Sequence, residues 1–408
     1  MATISCIECG RENTPSREKV PLSKGEKLSK RILMIIDGLP GGGAEKVVLT
    51  LARGLMERGH RVSLFSLRTV CDYPIPDGLH YLVIKDRCQK PWRKLTELSR
   101  RAQLLNQAIV AAEEEGGSFD LVVSHLHKTD RIVRRCTALS PSKTWFCLHG
   151  VFSASYLAQR SGFSLWLKKA KTRKVYQNRN VLGVSQYVID DLKQAFHIQP
   201  AREVVIFNPF DFEAVLAQSF KPCKMAGQDY LIHVGRFHET KRHDRLLRAY
   251  ARSGLTAPLV LIGQGSDEIT TKLKALTCEL AISDRVVFKG FTSNPYPWIR
   301  HARMLVVSSD SEGFGNVLVE ALICHTPVVS TRCPGGPTSI LTGDLARGLA
   351  EMNDDSLAAT MKDIWDNPPD VTRLNLQPYS VEKICQQYID LIDKNKNPSD
   401  MYHQKTSL

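Results

Sequence analysis

The sequence holds no uninterrupted apolar run approaching the ~18 residues that a bilayer crossing needs, which excludes a spanning helix. No apolar h-region stands near its start, so the expectation is a protein without a secretory leader. Cysteine is present as eleven residues, an odd number at irregular spacings. That pattern reads as reduced thiols in a cytoplasmic setting, not as a disulfide framework. Cys6 and Cys9 have the spacing of half a zinc site, but no second pair follows before Cys71. Nucleic-acid signatures are missing too, since neither a helix-turn-helix nor a zinc finger nor an RNA-binding motif accompanies the basic residues.

What is there is a globular composition with a marked charge imbalance. Over 408 residues, 43% hydrophobic and 24% charged side chains suit two domains with cores of their own. With nucleic acid set aside, a net charge of +13 suits an anionic membrane surface or a polyanionic substrate. Residues 1–29 are polar and aperiodic and read as a flexible tail. At Arg31 the pattern changes: Ile32 to Ile36 form an apolar run suited to a parallel strand buried on both faces. A glycine turn follows, then Ala44, Val47, Val48, Leu51 and Leu55 at helical spacing, then a second strand from Arg61. Further βα units run to Phe207, Asn208-Pro209 breaks the series, and a second series begins at Tyr230. This alternation predicts an α/β protein of two Rossmann-like, doubly wound domains, 30–207 and 208–378, facing a central cleft. Residues 379–408 are read as a helix, around Val381–Asp393, that packs back across the cleft onto the first domain, followed by a tail.

Three stretches carry candidate chemistry. Gly42 and Gly43 lie in a turn between a strand and a helix start, which either serves as a tight turn or lets backbone approach a donor or acceptor. Arg236 and Lys241 follow the strand that ends at Gly235. They are either an ordinary solvated helix start or a clamp on pyrophosphate, Arg as a bidentate fork and Lys as a point charge. The third stretch, Ser308 to Leu322, sets Glu312 in a loop and Glu320 eight residues on, two turns into a helix. Gly313 and Gly315 bare the helix start so that its N–H groups can hold phosphate, and Glu320 shares a flanking face with Asn316. Two carboxylates so placed can bond the hydroxyls of one donor at two points.

Glu312 to Glu320 resembles the E-x7-E motif of family 4 glycosyltransferases, retaining enzymes of the GT-B fold. The resemblance covers about residues 31–393 and includes Gly-Gly-Ala-Glu at 42–45, Gly235-Arg236 with Lys241, Gly263-Gln-Gly265, and Thr326-Pro-Val-Val leading to Gly335-Gly336-Pro337. It implies that Glu320 bonds the nucleotide ribose and Glu312 the transferred sugar. Arg236 and Lys241 would clamp the pyrophosphate and stabilise the leaving nucleoside diphosphate. Gly42, Gly43, Gly313, Phe314, Gly315 and Asn316 would complete the donor site. His149, at the end of a first-domain strand, matches the family's histidine beside the donor sugar. The resemblance implies no metal cofactor. Two positions depart from it: His325 stands where glycine is frequent, and Ser339 where an acidic residue is frequent. His125-Leu-His127 matches no family role.

The implied activity is hexosyl transfer from a nucleotide-diphosphate sugar, UDP-linked by family tendency, to a glycan or lipid-linked acceptor in surface-polysaccharide or lipopolysaccharide synthesis. Sugar-nucleotide epimerisation and a non-catalytic sugar-nucleotide-binding scaffold are the competing readings. Residues 163–180 combine Phe163, Leu165, Trp166 and Leu167 with six basic side chains, and Trp92 and Arg100-Arg101 add to the same domain. The segment is either a solvated helix or one that lies on anionic lipid at the inner face of the cytoplasmic membrane.

Overall fold

The computed structural model describes residues 29–89, 93–157 and 161–393. The polar tail up to residue 28, with Cys6 and Cys9, lies outside the described residues, as do Trp92 and the tail from 394. Among the described residues no helix is long and apolar enough to cross a membrane.

The first domain is a parallel sheet of β1 (Arg31–Ile36), β2 (Arg61–Ser66), β3 (His80–Val83), β4 (Leu121–His125), β5 (Thr144–Leu148), β6 (Asn180–Gly183) and β7 (Arg202–Val205). Its spatial order is β3-β2-β1-β4-β5-β6-β7. The second comprises β8 (Leu231–Val234), β9 (Leu259–Ile262), β10 (Val286–Gly290), β11 (Met304–Val307), β12 (Val328–Thr331) and β13 (Leu349–Ala350), ordered β10-β9-β8-β11-β12-β13. Helices cover both faces, which is why β1 reads as an unbroken apolar run: Ile32 to Ile36 are wholly buried. Each sheet reverses its strand order once, between β1 and β4 and between β8 and β11. A parallel sheet opens a crevice beyond its carboxyl edge at that reversal, because the two connecting helices diverge to opposite faces. The loops that follow β1, β8 and β11 carry Gly42, Arg236 and Glu312, and His125 is the last residue of β4.

The two domains share one buried apolar cluster, which runs from Ile32 and Leu51 through Phe314 and Leu318 to Ile384 and Tyr388. A smaller cluster, around Leu246, Tyr250 and Met361, belongs to the second sheet alone. The helix Val381–Asp393 crosses back as expected. The Phe210 amide donates to the Tyr379 carbonyl at 2.9 Å and the Val381 amide to the Phe210 carbonyl at 3.0 Å, fixing where the chain re-enters. Beyond that point the helix lies on the helix Gly43–Glu57 so closely that a Cβ on Gly54 would stand 2.5 Å from Val381 Cγ2 and 2.9 Å from Cys385 Sγ. Glycine at 54 is the condition of that crossing. His325 takes φ +60° just past the helix Asn316–Ile323, a left-handed position that accounts for the glycine frequent there. It is exposed, so the substitution carries only backbone strain.

Candidate functional site

In the second domain the loops after β8 and β11 are bolted together. Ser308 Oγ donates to the Lys241 and Arg242 carbonyls at 2.8 and 3.0 Å. The Asp310 amide donates to the Thr240 carbonyl at 2.8 Å. The buried Arg245 guanidinium donates to the Ser308 carbonyl at 2.9 Å and to Asp310 Oδ1 at 2.8 Å. Those bonds bring Lys241 Nζ to 2.7 and 2.9 Å from the two Glu312 oxygens. Ser309 Oγ donates to Glu312 Oε1 at 2.5 Å. With its side chain only 10% exposed, Glu312 is a desolvated carboxylate held by one ammonium and one hydroxyl. Arg236 lies exposed at the same edge and bonds no carboxylate among the described residues.

The glycines here serve backbone contact. A Cβ on Gly335 would fall 1.4 Å from the Glu312 carbonyl oxygen, and one on Gly336 would fall 1.9 Å from that of Phe314. Gly313 has a reason that spacing alone did not reveal: its missing Cβ would stand 2.0 Å from the carbonyl oxygen of His149, across the cleft. Ser185 Oγ, also from the first domain, donates to the Gly313 carbonyl at 2.8 Å. Gly313 is therefore a closure contact between domains. Gly315 caps the following helix at φ +96°. Phe314 needs a correction. Its ring is buried against Phe207, Phe210 and Tyr379, with centroids at 5.6, 6.2 and 5.6 Å, so the side chain is core and only its backbone belongs to the loop. Ser339 Oγ turns back to the Gly336 carbonyl at 2.8 Å.

Glu320 is the fifth residue of the helix Asn316–Ile323, nearer one turn than two from its start. Its Oε1 lies 2.6 Å from Lys46 Nζ, from the first domain, and 2.9 Å from the Tyr296 hydroxyl. Lys46 and Tyr296 also bond each other, with the ammonium 4.7 Å over the ring. Both border a cavity that Asn316, Glu320, Arg53 and Asp211 also line. Neither residue was singled out from the sequence, though Lys46 had a signal: a cation in the first turn opposes the helix dipole. Asn316 bridges the domains, accepting from Asn208 Nδ2 at 2.6 Å and facing the Gly43 carbonyl at 3.5 Å. The Glu45 carboxylate folds over Gly42, where a Cβ would stand 2.2 Å from its Oε2. Burial pushes Glu45 upward, against its own backbone hydrogen bond and the Arg236 charge. The glycine turn thus meets the second domain at Asn316 and in the field of Arg236.

His149 follows β5, opposite Glu312 and Gly313. Its Nε2 lies 3.0 Å from His125 Nδ1, with the rings tilted by 33° at 5.3 Å. Burial lowers its pKa to about 4, so the ring is neutral at neutral pH. With Cys147 the two histidines form a set whose nitrogen and sulfur atoms lie within 4.8 Å of one another. Burial pushes the Cys147 thiol well up, and the two imidazoles are joined by their own hydrogen bond. In the helix Gly162–Tyr176, Phe163 and Trp166 are 74% and 61% exposed and stack on each other at 5.5 Å. Of the basic residues there, Lys168 covers the Tyr156 ring and Arg173 binds the His197 carbonyl.

Residues 41–214 match the family described as Glycosyltransferase Family 4, and residues 217–381 match Glycosyl transferases group 1. Over 341 residues, 83% of this chain and 91% of the relative, the sequence is 26% identical to a Campylobacter jejuni protein. That protein is named N-acetylgalactosamine-N,N'-diacetylbacillosaminyl-diphospho-undecaprenol 4-alpha-N-acetylgalactosaminyltransferase. A D-inositol 3-phosphate glycosyltransferase of Mycobacterium avium is 28% identical over 333 residues, 75% of this chain and 77% of that one. Among solved structures, HepE of Anabaena in complex with UDP and glucose superposes with a TM-score of 0.64 at 18% identity, covering 92% of this chain and 100% of its own. The lipopolysaccharide outer core galactosyltransferase WaaB, in its apo form, gives 0.64 at 17% identity, covering 90% and 100%.

Proposed function

We propose a reaction from this premise: the chain belongs to the family 4 glycosyltransferases and has their two-domain GT-B fold. It is an enzyme of glycosyl transfer. Our reading is that it moves a hexosyl residue from a UDP-sugar to a glycan or lipid-linked acceptor, with retention at the anomeric carbon. The observation that carries it is the meeting of the Lys241–Glu312 pair, Arg236 and Glu320 at the carboxyl edge of β8 and β11, opposite His149.

The chemistry follows from those groups. The diphosphate lies on Arg236 and Lys241, two fixed cations that stabilise the charge it gains as its bond to C1 breaks. Glu320 exchanges Lys46 for the ribose hydroxyls. Glu312, its oxygens already held by Lys241 and Ser309, accepts from sugar hydroxyls and is not placed as a nucleophile. Neutral His149 bonds the sugar from the first domain. The acceptor hydroxyl attacks C1 on the face the diphosphate leaves, and its proton passes to the departing phosphate oxygen. With two side-chain cations supplying the counter-charge, the reaction is expected to need no divalent metal. The C. jejuni relative is named for a diphospho-undecaprenol acceptor, which supports a lipid-linked acceptor here.

The test is nucleoside-diphosphate release from a panel of nucleotide sugars, with EDTA, with and without membrane extract. UDP release that rises with extract supports the reading. Epimerised donor without release points to an epimerase, and binding without either product points to a scaffold. For the membrane, the exposed Phe163–Trp166 pair beside Lys168, Lys169, Lys171 and Lys174 is expected to hold the protein on anionic vesicles. Each basic residue contributes on the order of 1 kcal/mol near such a surface. Cosedimentation at low salt should fall as salt rises and fall again in Trp166→Ser. Equal binding to neutral vesicles would remove the electrostatic part of this reading.

A further inference from the structure

His125 lies outside the donor site proper, and nothing described so far uses it. It is wholly buried at the end of β4, in the middle of the first sheet, where its Cα stands in register with Ile36 on one side and Cys147 on the other. The sheet therefore fixes its place. His149 sits two residues beyond Cys147, and the two rings are joined through His125 Nδ1 and His149 Nε2 at 3.0 Å. The remaining nitrogen of His125, Nε2, is buried and has no hydrogen-bond partner among the described residues.

That orphaned atom decides where the proton is. If His149 Nε2–H donated to His125, then His125 would carry its own proton on Nε2, as a buried N–H with nothing to receive it. If His125 Nδ1–H donates to His149, the orphan is only a bare ring lone pair. Buried N–H groups without acceptors are the rarer and costlier case. Burial also keeps both rings uncharged, which excludes the form with protons on every nitrogen. We propose that His125 is the positioning residue for His149: it holds the ring in place through Nδ1–H···Nε2 and forces the His149 proton onto Nδ1. His149 then offers the sugar a single N–H donor of fixed direction. An isolated ring would be free to present either nitrogen.

The inference rests on the reading of His149 as a contact to the donor sugar, and the variants separate the two. An asparagine amide nitrogen stands where Nδ1 of histidine stands, and a glutamine amide nitrogen where Nε2 stands. His125→Asn is expected to keep kcat within about 3-fold of the parent, whereas His125→Gln and His125→Leu lose about 10–100-fold with donor KM little changed. In 15N-histidine-labelled protein, His149 should be protonated at Nδ1 in the parent and in His125→Asn. In His125→Leu it should revert to the Nε2–H form of free imidazole. Loss of the same size in His125→Asn and His125→Gln would mean that the residue only fills space, and would overturn the proposal. So would a parent His149 protonated at Nε2, a readout that stands even if His125→Leu fails to fold. Full activity in His149→Ala would instead remove the reading beneath it, whereas an inactive His149→Ala beside an active His125→Leu would remove only the positioning role.

Discussion

Lys241→Ala is expected to lower kcat/KM by about 10²–10³-fold, the scale on which removing one preorganised donor from a developing negative charge is felt. Two losses combine. The departing diphosphate loses a point charge, and Glu312 loses its only ammonium within 4 Å among the described residues, while its side chain remains 10% exposed. An unpaired carboxylate beside a pyrophosphate repels what the site must bind, so donor affinity should fall together with turnover. Arg236→Ala removes charge without orphaning a carboxylate, because Arg236 pairs with none among the described residues. It should therefore cost turnover chiefly. Adding Glu312→Gln to Lys241→Ala separates the contributions: donor affinity by calorimetry should recover in part, while steady-state UDP release should not. A Lys241→Ala enzyme with parental kcat would mean that the ammonium does not face the leaving group.

Much of this was legible before any coordinates. Buried parallel strands in two series announced the sheets, because helices on both faces demand an unbroken apolar run such as Ile32 to Ile36. The topological reversals then placed the loops that carry Gly42, Arg236 with Lys241, and Glu312. What the motif did not show is that each glutamate holds a lysine: Lys241 on Glu312 and Lys46 on Glu320. Pairing across 274 residues, as in Lys46 with Glu320, leaves no trace in local spacing. Neither does the burial of Phe314, since an aromatic in a glycine loop reads equally as ligand contact or as core. Two-residue β13 was missed because Leu349-Ala350 is too short to show a period. Glycine was the most ambiguous of all. Gly313, Gly335 and Gly336 look like ligand-cradling residues, yet each is required by an oxygen of the protein's own backbone.

Gly313→Ala tests what that last requirement does. The added Cβ would stand 2.0 Å from the His149 carbonyl oxygen and 2.9 Å from Gly150 Cα, so the two loops cannot remain where they are. Neither partner is a flexible side chain that could swing aside; both are backbone at the end of a strand. The least costly response is for the second domain to rotate away as a body, because each sheet has its own strand pairing. Rotation would also break the Ser185 hydroxyl bond to the Gly313 carbonyl. Its consequence falls on function before stability. His149 belongs to the first domain and Glu312 to the second, and a misplacement of about 1 Å between reacting partners can cost on the order of 100-fold. Gly313→Ala should therefore lose at least ~100-fold in kcat, with donor affinity much less affected, since Arg236, Lys241 and Glu320 all move together with the second domain. Thermal unfolding should shift by only a few degrees, as expected when one contact at the cleft is lost and both sheets keep their strand pairing. Ser185→Ala, which removes the hydroxyl and adds no bulk, should reproduce the direction with a smaller loss. A Gly313→Ala enzyme that keeps parental kcat would show that catalysis does not depend on this approach of the two loops.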